Sequence, residues 1–408
     1  MFSFGTPNTP PTAKEDDLDV LRLIRSRRVG PASFHRLIRE HDGVAGALAA
    51  LPELARAAGL QDYQPCGDAQ AEAELRAGRR IGARLIRWDS ADYPAALRDI
   101  ADAPPVLWLR GDADRLTQSP VAVIGSRNAS SLGLRMARGM SAALGEAGHC
   151  IVAGLARGID TAAHNAALPT GTVAVMAGGI DVIYPPENAV LAAQIAETGA
   201  LVSEQPPGTE PAARNFPMRN RIVSGLSRAV VVIEAAHRSG SLITAKAALD
   251  QGREVMAVPG HPMDARASGC NALIRDGAIL VRSAADVIEM LGDSPIEACA
   301  EAVAGVKNAD TAPRATARPG ISAADRAAVA GRLAPDNGPR YVAEHGSRDS
   351  GDGSLETRIL SHLSPSPLPE DSLLRDLGLA AAVVTPAILS LELQGLVTRL
   401  AGGRLALV

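Results

Sequence analysis

Between Val121 and Leu291 short apolar runs and amphipathic stretches alternate along the chain. The runs at 121–124, 150–153, 172–177, 200–203, 229–234, 254–258 and 278–281 are rich in Val, Ile and Ala and show no apolar–polar alternation. That is the pattern of strands covered on both faces. Between them, helical spacing of apolar residues predicts helices over 133–147, 159–168, 187–198, 219–226, 241–251, 271–276 and 284–291. Strand and helix in regular succession predict an α/β fold, a Rossmann-like doubly wound sheet that is mostly parallel.

The flanks read differently. Residues 1–15 carry no periodic pattern and are expected to be disordered. From Asp17 to Arg27 the residues Leu18, Leu21 and Ile24 share a helical face, Val29-Gly30-Pro31 interrupts it, and Phe34, Leu37 and Ile38 mark a second helix. Helix, Val-Gly-Pro turn and helix resemble a helix-hairpin-helix or SAM-like module over 16–80, whose turn can offer backbone N–H groups to a phosphate. A small helical packing domain explains the same pattern. Strands at 83–88 and 106–110 lead into the main domain, which is expected to extend over 81–292.

Residues 293–353, rich in Ala, Pro, Gly, Asp and Arg without apolar periodicity, read as a flexible linker. Over 354–408, helices near 355–363, 370–377 and 381–394 precede two short strands around Gly402-Gly403, a winged-helix pattern. Its third helix offers Ser390, Glu392 and Gln394 and no basic residue between Ala381 and Thr398. A protein-contact or regulatory role therefore stands beside DNA binding for this domain.

Composition narrows the function classes. With 408 residues, 46% of them hydrophobic, the chain is long enough for two to three domains with sizeable cores. A net charge of −4 excludes a general cationic coat, so any nucleic-acid contact must come from a local patch. Aromatic residues make up 2%, which restricts any base-stacking platform to a small one. Cys66, Cys150, Cys270 and Cys299 are scattered, with no CxxC pair and no His at zinc-ligand spacing, and read as reduced thiols with no metal site. The sequence has no 18-residue apolar run and no signal-peptide pattern, so the expectation is a soluble cytoplasmic protein with no membrane contact.

Candidate chemistry gathers on five loops, four of them glycine-bearing, that a doubly wound sheet would bring to its carboxyl edge. Gly125-Ser126-Arg127 follows the first strand of the alternating region, with Gly133 opening a helix. Gly154-Leu155-Ala156-Arg157-Gly158-Ile159-Asp160 leads to His164. Gly178 and Gly179 form a third loop, before Tyr184-Pro185. In Phe216-Pro217-Met218-Arg219-Asn220-Arg221, two permanent charges flank an amide where a loop is expected to become a helix, an arrangement suited to an anion. The fifth loop, Arg238-Ser239-Gly240-Ser241 with Thr244 and Lys246, could form a nest of N–H and hydroxyl donors. Together these suggest an extended phosphate-bearing ligand. The first turn is not GxGxxG and there is no GxxxxGK[ST] loop, so neither a dinucleotide cofactor nor P-loop ATP hydrolysis is supported, and no cofactor is expected. Asp160 and His164, four residues apart, invite a catalytic reading, but helix capping by Asp160 explains the pair and no Ser or Cys nucleophile stands beside it.

Six of these motifs in order, from Gly125-Ser126-Arg127 through Ser239-Gly240-Ser241-Leu242-Ile243-Thr244 to Val258-Pro259-Gly260, are similar to those of the DprA (Smf, DNA-processing) family over roughly 105–290. The flanks fit, since relatives often carry a SAM-like domain before the core and a winged helix after it. The resemblance implies a non-enzymatic protein, with no catalytic residues, that binds and protects single-stranded DNA, acts as a homodimer and loads the RecA recombinase in natural transformation, with single-strand-binding protein as a further partner. It assigns DNA contact to Arg127 and to the Arg219, Asn220 and Arg221 group, aided by the amides of Gly125, Ser126, Gly154, Gly158, Gly178, Gly179, Ser239, Gly240 and Ser241. Arg157 and Lys246 complete the basic set, and Phe216 stands as a base contact or loop anchor. Pro186-Glu187 departs from the basic residue that some relatives place after Tyr-Pro.

Two other classes compete. A Rossmann-like nucleotide or nucleoside-phosphate hydrolase would use Glu234 as its acid and Arg219 as a phosphate clamp, although the PGGxGTxxE-type loop of such enzymes is absent. A pure assembly scaffold would leave the pocket vestigial, which the retained Arg127, Arg219 and Arg221 argue against.

Overall fold

The structure, a computed structural model, describes residues 16–58, 60–292, 354–364, 368–394, 396–400 and 404–407. The expected disordered start at 1–15, the linker at 293–353 and the Gly402-Gly403 turn lie outside the described residues. The fold is α/β. Its main sheet has the strand order β1-β2-β6-β5-β4-β3-β7-β8-β9. Pairings β3–β4, β4–β5, β5–β6 and β8–β9 are parallel, whereas β1–β2 and β2–β6 are antiparallel. In sequence, β1 is Arg84–Arg87, β2 Val106–Gly111, β3 Val121–Ile124, β4 Ile151–Ala153, β5 Thr172–Val175, β6 Ala200–Ser203, β7 Ala229–Val232, β8 Glu254–Ala257 and β9 Ile279–Leu280. Every residue of β3 to β7 is buried, which is why these strands lack alternation in the sequence. The antiparallel extension is a feature the apolar runs do not announce: Trp108 and Leu109 of β2 pair with Ser203 and Val202 of β6.

The chain divides into two compact units. The first comprises residues 1–122, 141–156 and 163–230. It opens with four helices, α1 (Asp17–Arg25), α2 (Pro31–Glu40), α3 (Val44–Ala57) and α4 (Asp68–Arg80). Val20, Leu21, Leu23, Phe34, Leu48 and Leu51 form their apolar interior. Pro31 at the first position of α2 has the φ that a helix start requires and lacks an N–H that would go unpaired there, so the Val-Gly-Pro turn starts α2. Arg25 of α1 makes a two-pronged contact with Glu74 of α4 at 2.9 and 2.8 Å, and Glu74 also accepts the Trp108 indole N–H at 2.9 Å. The helical bundle is thereby fastened to β2 through one satisfied carboxylate. This unit also holds α5 (Ala95–Arg98), most of α7 (Ile159–Ala167), α8 (Ala189–Thr198) and α9 (Asn215–Leu226).

The second unit comprises residues 123–140, 157–162 and 231–408. It includes the start of α6 (Ser131–Glu146), then α10 (Gly240–Asp250), α11 (Ser268–Arg275) and α12 (Ala284–Leu291). Its last part has α13 (Leu355–His362), α14 (Glu370–Leu377) and α15 (Ala381–Leu393), with a three-stranded sheet ordered β10-β12-β11. Of these, β10 is Leu368–Pro369, β11 Val397–Leu400 and β12 Arg404–Leu407. Ile359, Leu373, Val384, Ile388, Leu391 and Leu405 make its core, giving a winged helix. Among the described residues no single helix is long and apolar enough to cross a membrane; α14 and α15 pass such a test only as a pair bent by 118°.

α9 departs from the sequence reading. It begins at Asn215 and not at Arg219, so Phe216, Pro217 and Met218 lie in its first turn. Pro217 is tolerated there because the first N–H groups of a helix have no intrahelical acceptor. Arg219, Asn220 and Arg221 therefore sit beyond the helix start, where their own amides belong to the helix ladder.

Candidate nucleic-acid interface

In a doubly wound sheet, ligands lie beyond the carboxyl ends of the strands where the order reverses. Here β3 is followed by β4, β5 and β6 on one side and the chain then returns to β7 on the other, so the reversal falls at β3 and β7. The loops after these two strands belong to the second unit. Ile233 N–H donates to the Ile124 carbonyl at 3.0 Å, and the Ser241 hydroxyl donates to the Gly125 carbonyl at 2.8 Å. The loop beginning 157 joins them: Ile159 N–H donates to the Ser126 carbonyl at 3.2 Å. That approach demands a glycine, because Gly158 has φ +75° and a Cβ there would lie 2.3 Å from the Ser126 oxygen and 2.6 Å from that of Arg127.

What this frame presents outward is cationic. Arg127, Arg157 and Arg238 are exposed, with Gly240 exposed and Ser126, Gly125, Ser239, Ser241 and Lys246 half-buried. Ser239 is the N-cap of α10, its hydroxyl accepting the Ser241 N–H at 3.4 Å. Guanidinium groups together with a helix N-terminus form a surface suited to phosphates.

Glu234, the acid that a hydrolase reading requires, is committed elsewhere. Its Oε2 accepts the Ser130 N–H at 2.9 Å and its Oε1 accepts the Ser130 hydroxyl, just before α6. Burial pushes its carboxyl upward, against the hydrogen bonds from Ser130 that favour the ionised form. The carboxylate thus fills the anion position at the start of α6 and ties the loop carrying Arg127 to β7.

The remaining sequence-derived residues lie in the first unit and form an interior frame. Arg219 is buried, donates to the Val175 carbonyl at 3.0 Å, and occupies the space above Gly154, where a Cβ would stand 1.3 Å from its Nη1. Gly154 therefore seats the Arg219 guanidinium. Arg221 turns inward: its Nη2 lies 2.7 Å from both carboxylate oxygens of Glu204, its Nη1 donates to the Asp102 carbonyl at 2.6 Å, and Nε is 3.2 Å from the Asp102 carboxylate. Arg221, which the sequence set among the phosphate contacts, is paired in the structure with Glu204 and Asp102. The signal was a single acid closing the apolar strand β6, which by itself names no partner.

Gly178 and Gly179 are buried beneath the loop around Pro206 to Pro211. Gly179 N–H donates to the Thr209 carbonyl at 2.8 Å, and the Gly178 carbonyl accepts the Ser203 hydroxyl at 2.6 Å. Asn220 and Phe216 are half-buried, and Phe216 meets the exposed Tyr184 ring edge-on, centroids 5.8 Å apart. His164 is fully buried with Nδ1 2.8 Å from the Thr172 hydroxyl, and burial, followed by the nearby Arg219 charge, pushes its pKa down to about 3. Burial thus favours the neutral form of this ring.

Comparison with known proteins agrees with this architecture. Residues 84–292 match the model of the DNA recombination-mediator protein A family, residues 14–77 that of a DprA-like N-terminal HHH domain and residues 345–403 that of a DprA winged helix domain. The DNA processing protein DprA of Bacillus subtilis (strain 168) is 42% identical over 226 residues, 55% of this chain and 76% of that protein. Protein Smf of Escherichia coli (strain K12) is 47% identical over 210 residues, 51% of this chain and 56% of that protein, so the match spans little more than half of that relative. The X-ray structure of DNA processing protein A from Streptococcus pneumoniae superimposes with a TM-score of 0.59 at 36% identity, covering 68% of this chain and 98% of that one.

Proposed function

This chain belongs to the DNA recombination-mediator protein A family, and from that membership we propose that it binds single-stranded DNA through its sugar–phosphate backbone and presents it to a recombinase, without chemical turnover. The observation that carries the proposal is the surface at β3 and β7, where Arg127, Arg157 and Arg238 emerge from loops fixed to one another by Gly158 and Ser241 while Glu234 caps α6. Guanidinium groups and amides grip phosphates and read little sequence, which suits a protein that must accept any strand. Ser239, Gly240 and Lys246 of the second unit supply further contacts in this reading, whereas Gly154, Gly178, Gly179, Arg219 and Arg221 support the loops of the first unit.

The same reading takes the chain as a helical module (16–80), a DNA-binding core (81–292) and a winged helix (354–408), working as a cytoplasmic homodimer with RecA as the recombinase and single-strand-binding protein as a further partner. The test is titration of the full chain with fluorescent single-stranded and duplex oligonucleotides over a salt series. Preferential single-strand binding that weakens steeply with salt and is lost in Arg127→Ala/Arg157→Ala supports the proposal. Binding of neither form, or binding indifferent to both substitutions, overturns it.

A further inference from the structure

Within the second unit, and among the described residues, the winged helix rests on α6 and its surroundings at three places. The His362 Nδ1 of α13 lies 3.1 Å from the Ser131 hydroxyl at the first turn of α6. Arg266 donates to the Ser361 carbonyl at 2.8 Å and to the Leu363 carbonyl, holding the end of α13. The third place is incomplete. Asp376 of α14 sits between Arg135 and Arg138 of α6, with carboxylate oxygens 3.8 and 3.9 Å from their Nη1 atoms, beyond hydrogen-bonding reach. Among the described residues neither Arg135 Nη1 nor Asp376 Oδ2 has a hydrogen-bond partner, although both atoms are shielded from solvent.

At this gap lies a cavity of about 370 Å³ lined by Arg135, Arg138, Ser372, Arg375 and Asp376. The lining holds three arginines and one carboxylate, a surplus of two positive charges (3 − 1); Arg135 and Arg138 approach Asp376, while Arg375 donates to the Asp371 carbonyl at 3.2 Å and the Ser372 hydroxyl at 3.4 Å. A shielded guanidinium N–H without an acceptor is costly, and an ion pair held too far apart for a hydrogen bond leaves both partners under-satisfied. An anion with several oxygens placed among the arginines would supply the missing acceptors, and phosphate matches the guanidinium fork.

We propose that this cleft between α6 and α14 is a phosphate site built jointly by the core and the winged helix. Its phosphate comes either from a DNA backbone or from a free phosphate ester. The first source rests on the DNA-binding reading above: Arg127 precedes α6 by four residues, and the 1.5 Å rise of a helix sets Arg138 about 4.5 Å beyond Arg135 along its axis, so a strand gripped at the loop continues onto these arginines. Asp376 opposes the ligand and holds the cleft in its absence.

The experiment uses the full chain, its Arg135→Ala/Arg138→Ala, Arg135→Lys/Arg138→Lys and Asp376→Asn variants, and two probes, a 30-nucleotide oligothymidylate and inorganic pyrophosphate. With a DNA source, the alanine pair weakens oligonucleotide binding about tenfold and flattens the plot of log affinity against log salt by roughly 0.7 for each phosphate that the variant no longer neutralises. The lysine pair retains part of the affinity, and Asp376→Asn strengthens binding several-fold, a gain that misfolding cannot produce. With a free phosphate ester as the source, pyrophosphate binding follows the same order of variants while the oligonucleotide is indifferent to them. A wild-type chain that binds pyrophosphate in this arginine-dependent way but no oligonucleotide would sink the DNA reading and leave the cleft standing. Oligonucleotide and pyrophosphate binding that are both unchanged in all three variants overturns the cleft and leaves the DNA reading intact.

Discussion

Gly154 and Arg219 share one volume: a methyl group on Gly154 would stand 1.3 Å from Nη1 of Arg219, while that nitrogen donates to the Val175 carbonyl at 3.0 Å. Glycine at the end of β4 is thus required by an arginine 65 residues later in the chain (219 − 154), and the pair behaves as a unit. Gly154→Ala is expected to expel the guanidinium and cost about 1–3 kcal/mol, the range for overpacking a filled interior. Adding Arg219→Ala should recover part of the loss, leaving a coupling of about 0.5–3 kcal/mol in a double-mutant cycle followed by urea denaturation. Strict additivity would show that the two positions do not compete for space.

Arg221 and Arg127 should separate cleanly. Removing the Arg221 guanidinium leaves Glu204 buried without its partner, so Arg221→Met is expected to destabilise by about 3–5 kcal/mol. Arg127 is exposed, and Arg127→Ala is expected to change stability by no more than about 0.5 kcal/mol while weakening oligonucleotide binding. Denaturation midpoints and binding isotherms on the same two variants check this. Equal loss of stability in both would contradict the division into frame and surface.

Gly158→Ala forces a Cβ toward two carbonyl oxygens at a backbone φ of +75°. The loop beginning 157 must then move away from Ser126 and Arg127, so DNA affinity should fall even though no donor is removed. Hydrogen exchange at the Ile159 amide, which donates to Ser126, should quicken in the variant. An Ile159 amide as protected as in the parent chain would show that the close approach does not hold the loops.

His164 makes the protein sensitive to acid. Its pKa is lowered from 6.5 to about 3 in the folded chain, so unfolding takes up a proton at any pH between those values. Stability from this residue is complete above pH 6.5 and falls by up to about 1.4 kcal/mol per pH unit below it, until the folded group itself titrates. His164→Gln should give a shallower decline of unfolding free energy between pH 6 and pH 4. An unchanged slope would mean that the ring is protonated in the native protein.

The helices and buried strands of the main domain were legible because burial on both faces and helical periodicity are recorded in every few consecutive residues. The reach of the β1 and β2 extension was not, since an antiparallel addition at an edge depends on which strand is left unpaired. The start of α9 lies four residues before the expected 219 (219 − 215), because the first turn of a helix accepts Pro217.

By itself the sequence determined the strand–helix succession, the helical and winged-helix flanks, and the set of glycine, serine and arginine loops, because each is a property of neighbouring residues. Only the tertiary structure decided where each arginine sits and what it pairs with. Arg127, Arg157 and Arg238 remain at the surface, Arg219 fills the space over Gly154, and Arg221 is claimed by Glu204 and Asp102, which lie 17 and 119 positions earlier. A guanidinium has the same charge in every setting, and whether it meets a ligand or a buried carboxylate depends on distant segments that meet only when the chain folds.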